Sequence, residues 1–321
     1  MASITKTYNR QYHTLSVQGT NGNDFYDYER NDRAQYRRNG RNPAIWVEAG
    51  DGNDRIYGSN EGWETMHGEG GNDFLWTRGG GGQAWGGAGN DFLLGGAGTD
   101  SLLGGTGNDR AYGGRGNDYL RGDEGNDRLY GGRDDDQLQG GLGNDVIHGG
   151  QGSDTAIFGA ARSRVRYTVN LSNQNWQNTG EGRDKLTSIE NVITRQGNDL
   201  IVGNSSSNNV RAGSGNDVIL GMDGNDEIKG ERGNDLIVGG KGFDKLYGGQ
   251  GADTFFLSEG SGFDRIMDFR DGQDRLQFGA GVDNLSVRNR NGHAFVYEGR
   301  DLLAVVNGAA GDLQVQDNFL V

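Results

Sequence analysis

Aspartates recur at a fixed interval in this sequence, and a regular row of carboxylates can bind cations. Residues 86–120 read GGAGNDFLLGGAGTDSLLGGTGNDRAYGGRGNDYL, so that an Asp returns every nine residues. Asp oxygens and turn carbonyls are hard ligands that suit Ca²⁺, which takes about six to eight oxygens in a tolerant geometry. Zinc or copper would favour Cys or His, but the chain has no Cys and only 4 His. The sequence therefore predicts calcium sites in the turns.

The aspartates fall into two blocks. The predicted metal ligands of the first block are Asp73, Asp91, Asp100, Asp109, Asp118, Asp127, Asp136, Asp145 and Asp154. Those of the second block are Asp199, Asp217, Asp226, Asp235, Asp244 and Asp253. Gly82 and Asn208 stand where the pattern would place an Asp. Asp24 and Asp54 carry a similar Gly-Asn-Asp triplet out of phase, and whether they or Asn208 bind metal stays open.

Each nine-residue unit divides into a turn and a short strand. Gly-Gly-x-Gly-x-Asp predicts the turn, because glycine adopts positive φ without strain. The next three residues, x-apolar-x, predict a strand with one side chain pointing inward. The inward set is Leu93, Leu102, Ala111, Leu120, Leu129, Leu138, Ile147, Ile201, Val210, Ile219, Ile228, Ile237 and Leu246. Two units make a coil of 18 residues, and cations between stacked turns would number roughly eleven.

Bound metal is expected to drive the folding of these coils. Ordering nine residues costs more conformational entropy than one buried aliphatic side chain per unit returns. Stacked carboxylates would also repel one another, and a dication between them removes that repulsion. The alternative is that each Asp only caps its own turn, but the strict register of so many aspartates favours metal.

Composition excludes several classes of protein. The chain has 62 Gly but only 1 Pro, which argues against collagen, and the strict phase argues against disorder. With 45 acidic and 31 basic residues, the formal net charge is −14, so we expect no nucleic-acid partner. No run approaches the ~20 apolar residues of a membrane span. We also expect no cleaved N-terminal signal, because residues 1–17 have no apolar stretch.

The nonapeptides GGAGNDFLL, GGTGNDRAY and GGLGNDVIH resemble the RTX (repeats-in-toxin) repeats of bacterial proteins, and this likeness covers most of residues 50–256. Residues 182–204 are similar to the spacer that often precedes such a block, and residues 262–278 to the segment that closes it. The ending DNFLV resembles the tail of type I secretion substrates. The resemblance implies a parallel β-roll, export by type I secretion, and calcium-driven folding outside the cell.

We therefore expect an all-β protein, a parallel β-roll in two repeat blocks with β-rich N- and C-terminal caps. The expected segments are an N-terminal cap or arm (1–49), a first roll block (50–158), a spacer of strands and loop (159–194), a second roll block (195–256) and a C-terminal β cap with the secretion signal (257–321). Within the last segment, HAFVYEGRDLLAVV predicts a hairpin around Gly299.

The outward positions predict contrasting faces. In the second block one sheet presents Leu200, Val202, Val218, Leu220, Leu236, Val238 and Phe256. The other presents Asn209, Arg211, Glu227, Lys229, Lys245 and Tyr247. A weaker apolar face of the first block comprises Phe74, Trp76, Phe92, Leu94, Tyr112, Tyr130 and Val146, interrupted by Arg110, Arg128 and His148. Such a stripe suggests self-assembly, unless another segment of the chain covers it.

The first 50 residues combine arginines with tyrosines. They are Arg30, Arg33, Arg37, Arg38 and Arg41 beside Tyr26, Tyr28 and Tyr36. Charge and ring stacking could bind an anionic polysaccharide or a cell surface. The alternative is a solvated insertion in the N-terminal cap.

Three functions are consistent with these patterns. The leading hypothesis is a secreted, extracellular structural protein of a surface layer, sheath or filament. The second is a binding module for a polysaccharide or a separate protein partner. The third is a carbohydrate-active enzyme, although the chain has no His-Glu-x-x-His, Gly-x-Ser-x-Gly or Walker motif. We therefore expect no catalytic residues.

Overall fold

Short strands separated by glycine-rich turns make up almost all of the fold, as the repeat predicts. The structure is a computed structural model that describes residues 4–9, 14–32, 44–159, 165–257, 262–279, 282, 285–309, 313, 315–316 and 319–320. Within these residues the one helix, α1 (Tyr28–Asn31), has four residues. The Asp27 side chain caps it by accepting a hydrogen bond from the Arg30 N–H at 3.3 Å.

The strands follow one another in this order along the chain. The first ten are β1 (Thr5–Asn9), β2 (Thr14–Gln18), β3 (Phe25–Asp27), β4 (Ala44–Glu48), β5 (Arg55–Tyr57), β6 (Glu64–Gly70), β7 (Phe74–Arg78), β8 (Gly82–Ala88), β9 (Phe92–Ala97) and β10 (Asp100–Thr106). Next come β11 (Arg110–Arg115), β12 (Tyr119–Glu124), β13 (Arg128–Arg133), β14 (Gln137–Leu142), β15 (Val146–Gln151), β16 (Thr155–Ile157), β17 (Thr168–Asn170), β18 (Gln177–Asn178), β19 (Arg183–Thr187) and β20 (Asn191–Ile193). Then follow β21 (Leu200–Val202), β22 (Asn209–Arg211), β23 (Val218–Asp223), β24 (Glu227–Arg232), β25 (Leu236–Lys241), β26 (Lys245–Gln250) and β27 (Thr254–Leu257). The last are β28 (Asp264–Ile266), β29 (Arg275–Phe278), β30 (Leu285–Arg290), β31 (His293–Glu298), β32 (Asp301–Asn307), β33 (Val315–Gln316) and β34 (Phe319–Leu320).

The chain divides into two compact units. Unit 1 comprises Met1–Ala160 and Glu181–Ile189, and unit 2 comprises Ala161–Gly180 and Glu190–Val321. Each unit is a β-solenoid in which successive strands alternate between two parallel sheets. The predicted parallel β-roll and its all-β class are therefore confirmed.

In unit 1 the even sheet contains β2, β4, β6, β8, β10, β12, β14 and β16, all parallel. Strand β1 lies antiparallel on β2. The odd sheet contains β3, β5, β7, β9, β11, β13, β15 and β19, all parallel. Leu93, Ala111 and Leu129 are register partners, so neighbouring strands of one sheet are 18 residues apart within the regular repeats.

In unit 2 the odd sheet contains β17, β21, β23, β25, β27 and β29 in parallel, followed by antiparallel β34 and β33. The even sheet contains β20, β22, β24, β26, β28 and β32 in parallel. Antiparallel β31 and β30 extend it. The predicted hairpin around Gly299 is formed by β31 and β32.

The core of each unit is a narrow stack of single side chains. Every inward residue named from the sequence is at most 1% exposed, which confirms the predicted orientation of the strands. Alternation fixes this result, because a one-residue slip would turn every apolar side chain outward. No helix in the described part of the chain has the length and apolarity to span a bilayer.

Candidate metal centres

The predicted aspartates form hydrogen-bonded ladders along the edges of the coils. The Asp91 N–H donates to Asp109 Oδ1 at 2.7 Å, and the Asp109 N–H donates to Asp127 Oδ1 at 2.7 Å. The same step joins Asp100 to Asp118 at 2.8 Å. Ladders of this kind run in unit 2 as well. One carboxylate oxygen of each Asp is thereby held by the preceding coil.

The other carboxylate oxygen, Oδ2, is buried and accepts no hydrogen bond. These Oδ2 atoms belong to Asp54, Asp73, Asp91, Asp100, Asp109, Asp118, Asp127, Asp136, Asp145, Asp199, Asp217, Asp226, Asp235, Asp244 and Asp253. A buried carboxylate oxygen without a donor is costly. Its repetition along each ladder indicates that something positive completes the turn.

The first glycine of each hexapeptide leaves room for a second oxygen beside Oδ2. A Cβ added to Gly86 would lie 2.2 Å from Asp91 Oδ2 and 2.6 Å from the Gly104 carbonyl oxygen. At Gly122 the corresponding distances are 2.1 Å to Asp127 Oδ2 and 2.5 Å to a carbonyl oxygen of the next coil. We call such a pair, the Oδ2 of one turn and the carbonyl oxygen of the next coil, an oxygen cradle. Glycine is required there because a methyl group would collide with both oxygens.

Burial makes the ladder carboxylates hard to ionise without a cation. Desolvation raises the pKa of Asp91 from 3.8 to about 6, of Asp109 to about 7 and of Asp118 to about 8. The carboxylates of neighbouring coils, such as Asp127 beside Asp109, raise the pKa as well. Backbone N–H donors lower it but do not offset burial. The turns therefore favour either a proton or a bound cation.

The donor set fits a hard dication. It consists of carboxylate and carbonyl oxygens shielded from water, which are the ligands that calcium prefers. In the described ranges no three His, Cys, Asp or Glu side chains come together at one point. This follows from the fold, since each turn contributes one Asp and the other oxygens at a cradle are backbone carbonyls.

Some turns of the ladders have a filled cradle. In the turn of Asp199 the first position is Thr194, whose Oγ1 donates to the Ala212 carbonyl oxygen at 2.7 Å. The Thr194 side chain also lies against Asp199 and offsets part of the rise in its pKa. In the turn of Asp217 the first position is Ala212, which is buried. Asp199 and Asp217, predicted as equivalent to the other ligands, thus stand in different surroundings.

A threonine also fills the gap at Gly82. Thr77 Oγ1 lies 3.1 Å from the Gly95 carbonyl oxygen and 2.7 Å from Asp100 Oδ1. Its hydroxyl thereby bonds to the next coil from the one turn of the row that has no Asp. The interruption that the sequence shows at Gly82 is therefore a local substitution, and the sheet continues through β8 without a break.

The structure extends the ladders to aspartates that the sequence phase did not assign. Asp24 donates through its N–H to Asp54 Oδ1 at 2.6 Å, and Asp54 donates to Asp73 Oδ1 at 2.8 Å. Asp145 likewise donates to Asp184 Oδ1 at 2.9 Å, across the inserted spacer. At the other end, Asp253 donates to Asp274 Oδ1 at 3.0 Å. Insertions between coils change the sequence interval but leave the stacking intact.

Asp264 ends the even ladder of unit 2 in a pair with Asp244. Burial, together with the Asp244 carboxylate, raises the pKa of Asp264 to about 9. A Cβ on Gly239 would lie 2.5 Å from Asp244 Oδ2 and 3.0 Å from Asp264 Oδ1. This cradle therefore presents two carboxylates. The Gly-Phe-Asp triplet that leads into β28 and ends at its first residue was the available signal, but it is out of phase with the nonapeptides.

At the other end of that ladder, Asn208 closes the row without a charge. Its N–H donates to Asp226 Oδ1 at 2.8 Å, as an Asp would. Its Nδ2 donates to the Glu190 carbonyl oxygen at 2.7 Å and to Asn204 Oδ1 at 3.0 Å. Protein groups thus satisfy the Asn208 amide nitrogen, whereas the Oδ2 atoms of the following aspartates have no such partner.

The outward faces lie where the sequence places them. The apolar residues of the unit 2 odd sheet are half-buried and in register, for example Leu200, Val218 and Leu236. The even sheet carries ion pairs instead, such as Arg211 with Glu231 at 2.7 Å. The N-terminal arginine hypothesis falls largely outside the described residues, which omit Arg33, Tyr36, Arg37, Arg38 and Arg41. Tyr26 and Tyr28 are buried in the core and are not available to stack on a ligand.

A family model matches this chain over the same turns. It is described as the RTX calcium-binding nonapeptide repeat (4 copies). The matched residues are 46–75, 59–93, 67–102, 77–110, 85–120, 103–138, 121–156, 193–228 and 229–264. These matches cover more than half of the chain, and so the chain belongs to the family of RTX calcium-binding repeat proteins. Such repeats are typical of proteins secreted by the type I route.

The chain also has similarity to solved structures. No curated protein matches the chain. Among solved structures, the extracellular lipase LipA from Serratia marcescens is similar at 20% identity with a TM-score of 0.31. The match covers 71% of this chain and 39% of the lipase. The chain thus spans about two fifths of the length of that lipase.

Proposed function

We propose that this chain is an extracellular calcium-binding structural protein that folds when its turns fill with Ca²⁺. The observation that carries this proposal is the row of buried Oδ2 atoms without a hydrogen-bond donor. A dication bound there would neutralise the carboxylates and join neighbouring coils. Because the sites form only when coils stack, the free energy of binding becomes free energy of folding.

The groups of each turn have different roles in the proposed site. One oxygen of the Asp, Oδ1, orients the carboxylate by accepting the N–H of the preceding coil, and Oδ2 remains for the ion. The first glycine admits the carbonyl oxygen of the next coil. Calcium, when bound, supplies the positive charge. The fifteen aspartates predicted from the sequence remain proposed ligands, with Asp54, Asp184 and Asp264 as further candidates. Oδ2 of Asp24 and Oδ2 of Asp274 accept hydrogen bonds from protein donors instead.

The turns are not expected to bind equally well. Thr194 and Ala212 fill the cradles of Asp199 and Asp217, whereas Gly230 and Gly248 leave those of Asp235 and Asp253 open. We therefore infer weaker calcium binding at the first coils of unit 2. This reduces the strong sites below the roughly eleven that pair counting gives.

Calcium stoichiometry tests this assignment. Equilibrium dialysis of the full chain with labelled calcium is expected to show loss of bound ions in Asp235→Asn. A smaller loss is expected in the matched variant Asp217→Asn, whose cradle is filled. Equal losses in both variants would show that the first position of the turn does not control binding. No loss in either would contradict the ligand assignment itself.

Export by type I secretion is consistent with this chemistry. Calcium is scarce in the bacterial cytosol and plentiful outside, so a chain that needs it would stay unfolded until export is complete. The repeats match a calcium-binding family model, and we propose that the role is structural and does not involve catalysis.

The apolar face of the unit 2 odd sheet supports a role in assembly. Val202, Leu220, Val238 and Phe256 form one continuous register column on it. Contiguous apolar surface of this kind commonly marks a protein–protein contact. We propose that a second copy of the chain packs there, as in a surface layer or filament.

Light scattering over a concentration series in calcium tests the assembly. We expect association that the double variant Leu220→Lys/Val238→Lys prevents. A matched variant on the polar even sheet, Lys229→Leu, is expected to leave association unchanged. A strict monomer at high concentration would contradict assembly without affecting the calcium proposal.

A further inference from the structure

Two arginines face each other without an acidic partner on the outer face of the odd sheet of unit 1. Arg110 and Arg128 are register partners in β11 and β13. Neighbouring strands lie roughly 4.8 Å apart, and like charges placed opposite each other destabilise a sheet. Both side chains are exposed, and neither forms an ion pair within the described residues. Lys185 continues the same row two strands further on.

Two other arginines of unit 1 do have acidic partners. Arg121, on the even sheet of the same unit, pairs with Asp123 at 2.9 Å. On the odd sheet Asp27 is the single outward acid in the described strands, and it pairs with Arg78 at 3.1 Å. The row at Arg110 and Arg128 is thus a local excess of positive charge on a chain with a formal charge of −14. Like charges placed opposite each other are unfavourable in a sheet, and such unfavourable placements often occur at functional sites.

A row of aromatic rings runs beside the arginines. Tyr112 and Tyr130 stack with ring centroids 4.7 Å apart and planes 5° apart. Phe92, the register partner of Arg110, lies 5.4 Å from Tyr112 on one side, and His148 continues the row on the other at 6.0 Å from Tyr130. The stacked rings cover each other's faces. Their hydroxyl groups form no hydrogen bond within the described part of the chain, so they are available to a ligand.

We propose that this surface, Arg110, Tyr112, Arg128 and Tyr130, binds a linear acidic polysaccharide. The cations repeat at the spacing of adjacent coils, which is close to the length of one sugar residue in an extended chain. Arginine recognises carboxylates in bidentate fashion, and the tyrosine hydroxyls can bond to sugar hydroxyls. The proposal depends on the proposed function in one respect, because the rows exist only in the calcium-folded coils.

The geometry favours a polysaccharide over a nucleic acid. Single-stranded nucleic acids are bound through bases that stack on exposed aromatic faces. Here Tyr112 and Tyr130 stack on each other, which occupies one face of each ring, and the Phe92 and His148 rings lie on either side of the pair. The groups that this surface exposes to a ligand are the edges of the tyrosine rings, their hydroxyls and the guanidinium groups. These groups match a ligand that is rich in hydroxyls and carboxylates.

The test uses the full chain in saturating calcium and an oligogalacturonate too short to gel with calcium. Calorimetry is expected to show binding that weakens with added salt, since the contacts are exposed charges. The variant Arg110→Gln/Arg128→Gln is expected to bind about tenfold more weakly. The matched control Arg121→Gln/Arg211→Gln removes the same charge from paired arginines and is expected to bind as the parent does. Circular dichroism in calcium checks that each variant folds.

Several outcomes would overturn the proposal. One is that the calcium-folded chain does not bind the oligogalacturonate, and another is that the control variant loses as much affinity as Arg110→Gln/Arg128→Gln. The others are that a neutral oligosaccharide of the same length binds equally well, or that oligothymidylate binds as tightly as the oligogalacturonate. The last outcome would indicate a nucleic-acid surface. None of them alters the calcium proposal, which is tested separately by the calcium dependence of folding and by calcium stoichiometry.

Discussion

Replacing Asp118 and Asp136 by Asn should change the stability of the chain in opposite directions with and without calcium. The two residues are consecutive members of one ladder, joined by a 2.9 Å hydrogen bond from the Asp118 N–H to Asp136 Oδ1. Asn keeps an oxygen for that hydrogen bond and removes the charge. The perturbation therefore isolates the electrostatic role of the carboxylates from their role in the turn.

The magnitude in calcium follows from two lost sites. The cradles of Gly113 and Gly131 place Oδ2 of Asp118 and Asp136 each 2.3 Å from the position of an added Cβ, with a carbonyl oxygen at 2.7 Å. Extracellular calcium modules bind with Kd of about 10⁻⁴–10⁻³ M. At ~10 mM calcium each site then contributes about 1.4–2.7 kcal/mol. The double variant should lose roughly 3–5 kcal/mol of unfolding free energy.

Without calcium the same two substitutions should stabilise the folded chain instead of destabilising it. Burial raises the pKa of Asp118 to about 8 and that of Asp136 to about 7, so at about pH 7.5 ionisation opposes folding. A tenfold change in proton affinity corresponds to about 1.4 kcal/mol. Neutral Asn side chains should therefore make the calcium-free fold several kcal/mol less unfavourable. If the aspartates were only turn caps, both conditions would show the same small change.

The assay is a pair of equilibrium titrations followed by circular dichroism. Urea unfolding in calcium measures the loss, and TMAO-induced folding in EDTA measures the gain. The control variant Glu124→Gln/Asp301→Asn removes two exposed acids and should change neither curve appreciably. A double variant that matches this control in calcium would refute the reasoning, as would one that is harder to fold in EDTA.

Three further predictions follow from the same geometry. The raised pKa values of the ladder aspartates, from 3.8 to about 6–8, mean that the calcium-free fold loses stability as pH rises through that range. The TMAO concentration at the midpoint of folding in EDTA should therefore rise from about pH 5 to about pH 8, because the buried carboxylates of the calcium-free fold must give up their protons; a flat titration would contradict this. Gly86→Ala should abolish a calcium site in equilibrium dialysis, because the added methyl group would lie 2.2 Å from Asp91 Oδ2. The control variant Gly22→Ala should bind calcium as the parent does, because the nearest atom to its methyl group lies 3.8 Å away. Asp264→Asn should raise the calcium midpoint as much as a change within the repeats, and the exposed Asp271→Asn should not; equal midpoints for the two would exclude Asp264 as a ligand.

The sequence was sufficient for the fold and for most of the ladder. Strict nine-residue spacing fixes both the inward side chain and the stacking partner 18 residues away, as at Asp91 and Asp109. The spacing fails where coils carry insertions. Asp54 and Asp264 lie in the ladders because the strands keep their register across the insertions, and no interval of nine residues in the sequence reports that.

The repeat pattern also does not show whether each oxygen cradle is open or filled. The pattern treats Asp199 and Asp235 as equivalent, because it counts Asp positions and not the residue that begins the turn. That residue is Thr194 for Asp199 and Gly230 for Asp235, and only the packed coils show that it lies against the carboxylate. Likewise, the pairing of Arg121 with Asp123 distinguishes it from Arg110, although both are arginines on outward strand positions.

Exhaustive removal of calcium tests the central claim most directly. The chain would be dialysed against EDTA at about pH 7.5 and measured by circular dichroism and small-angle X-ray scattering, before and after calcium is restored. We expect the chelated chain to lose its β signal and to expand towards a radius of gyration of about 60 Å, as for an unfolded chain of this length. Added calcium should restore a compact, β-rich form. A chelated chain that stays compact and β-rich would contradict the account.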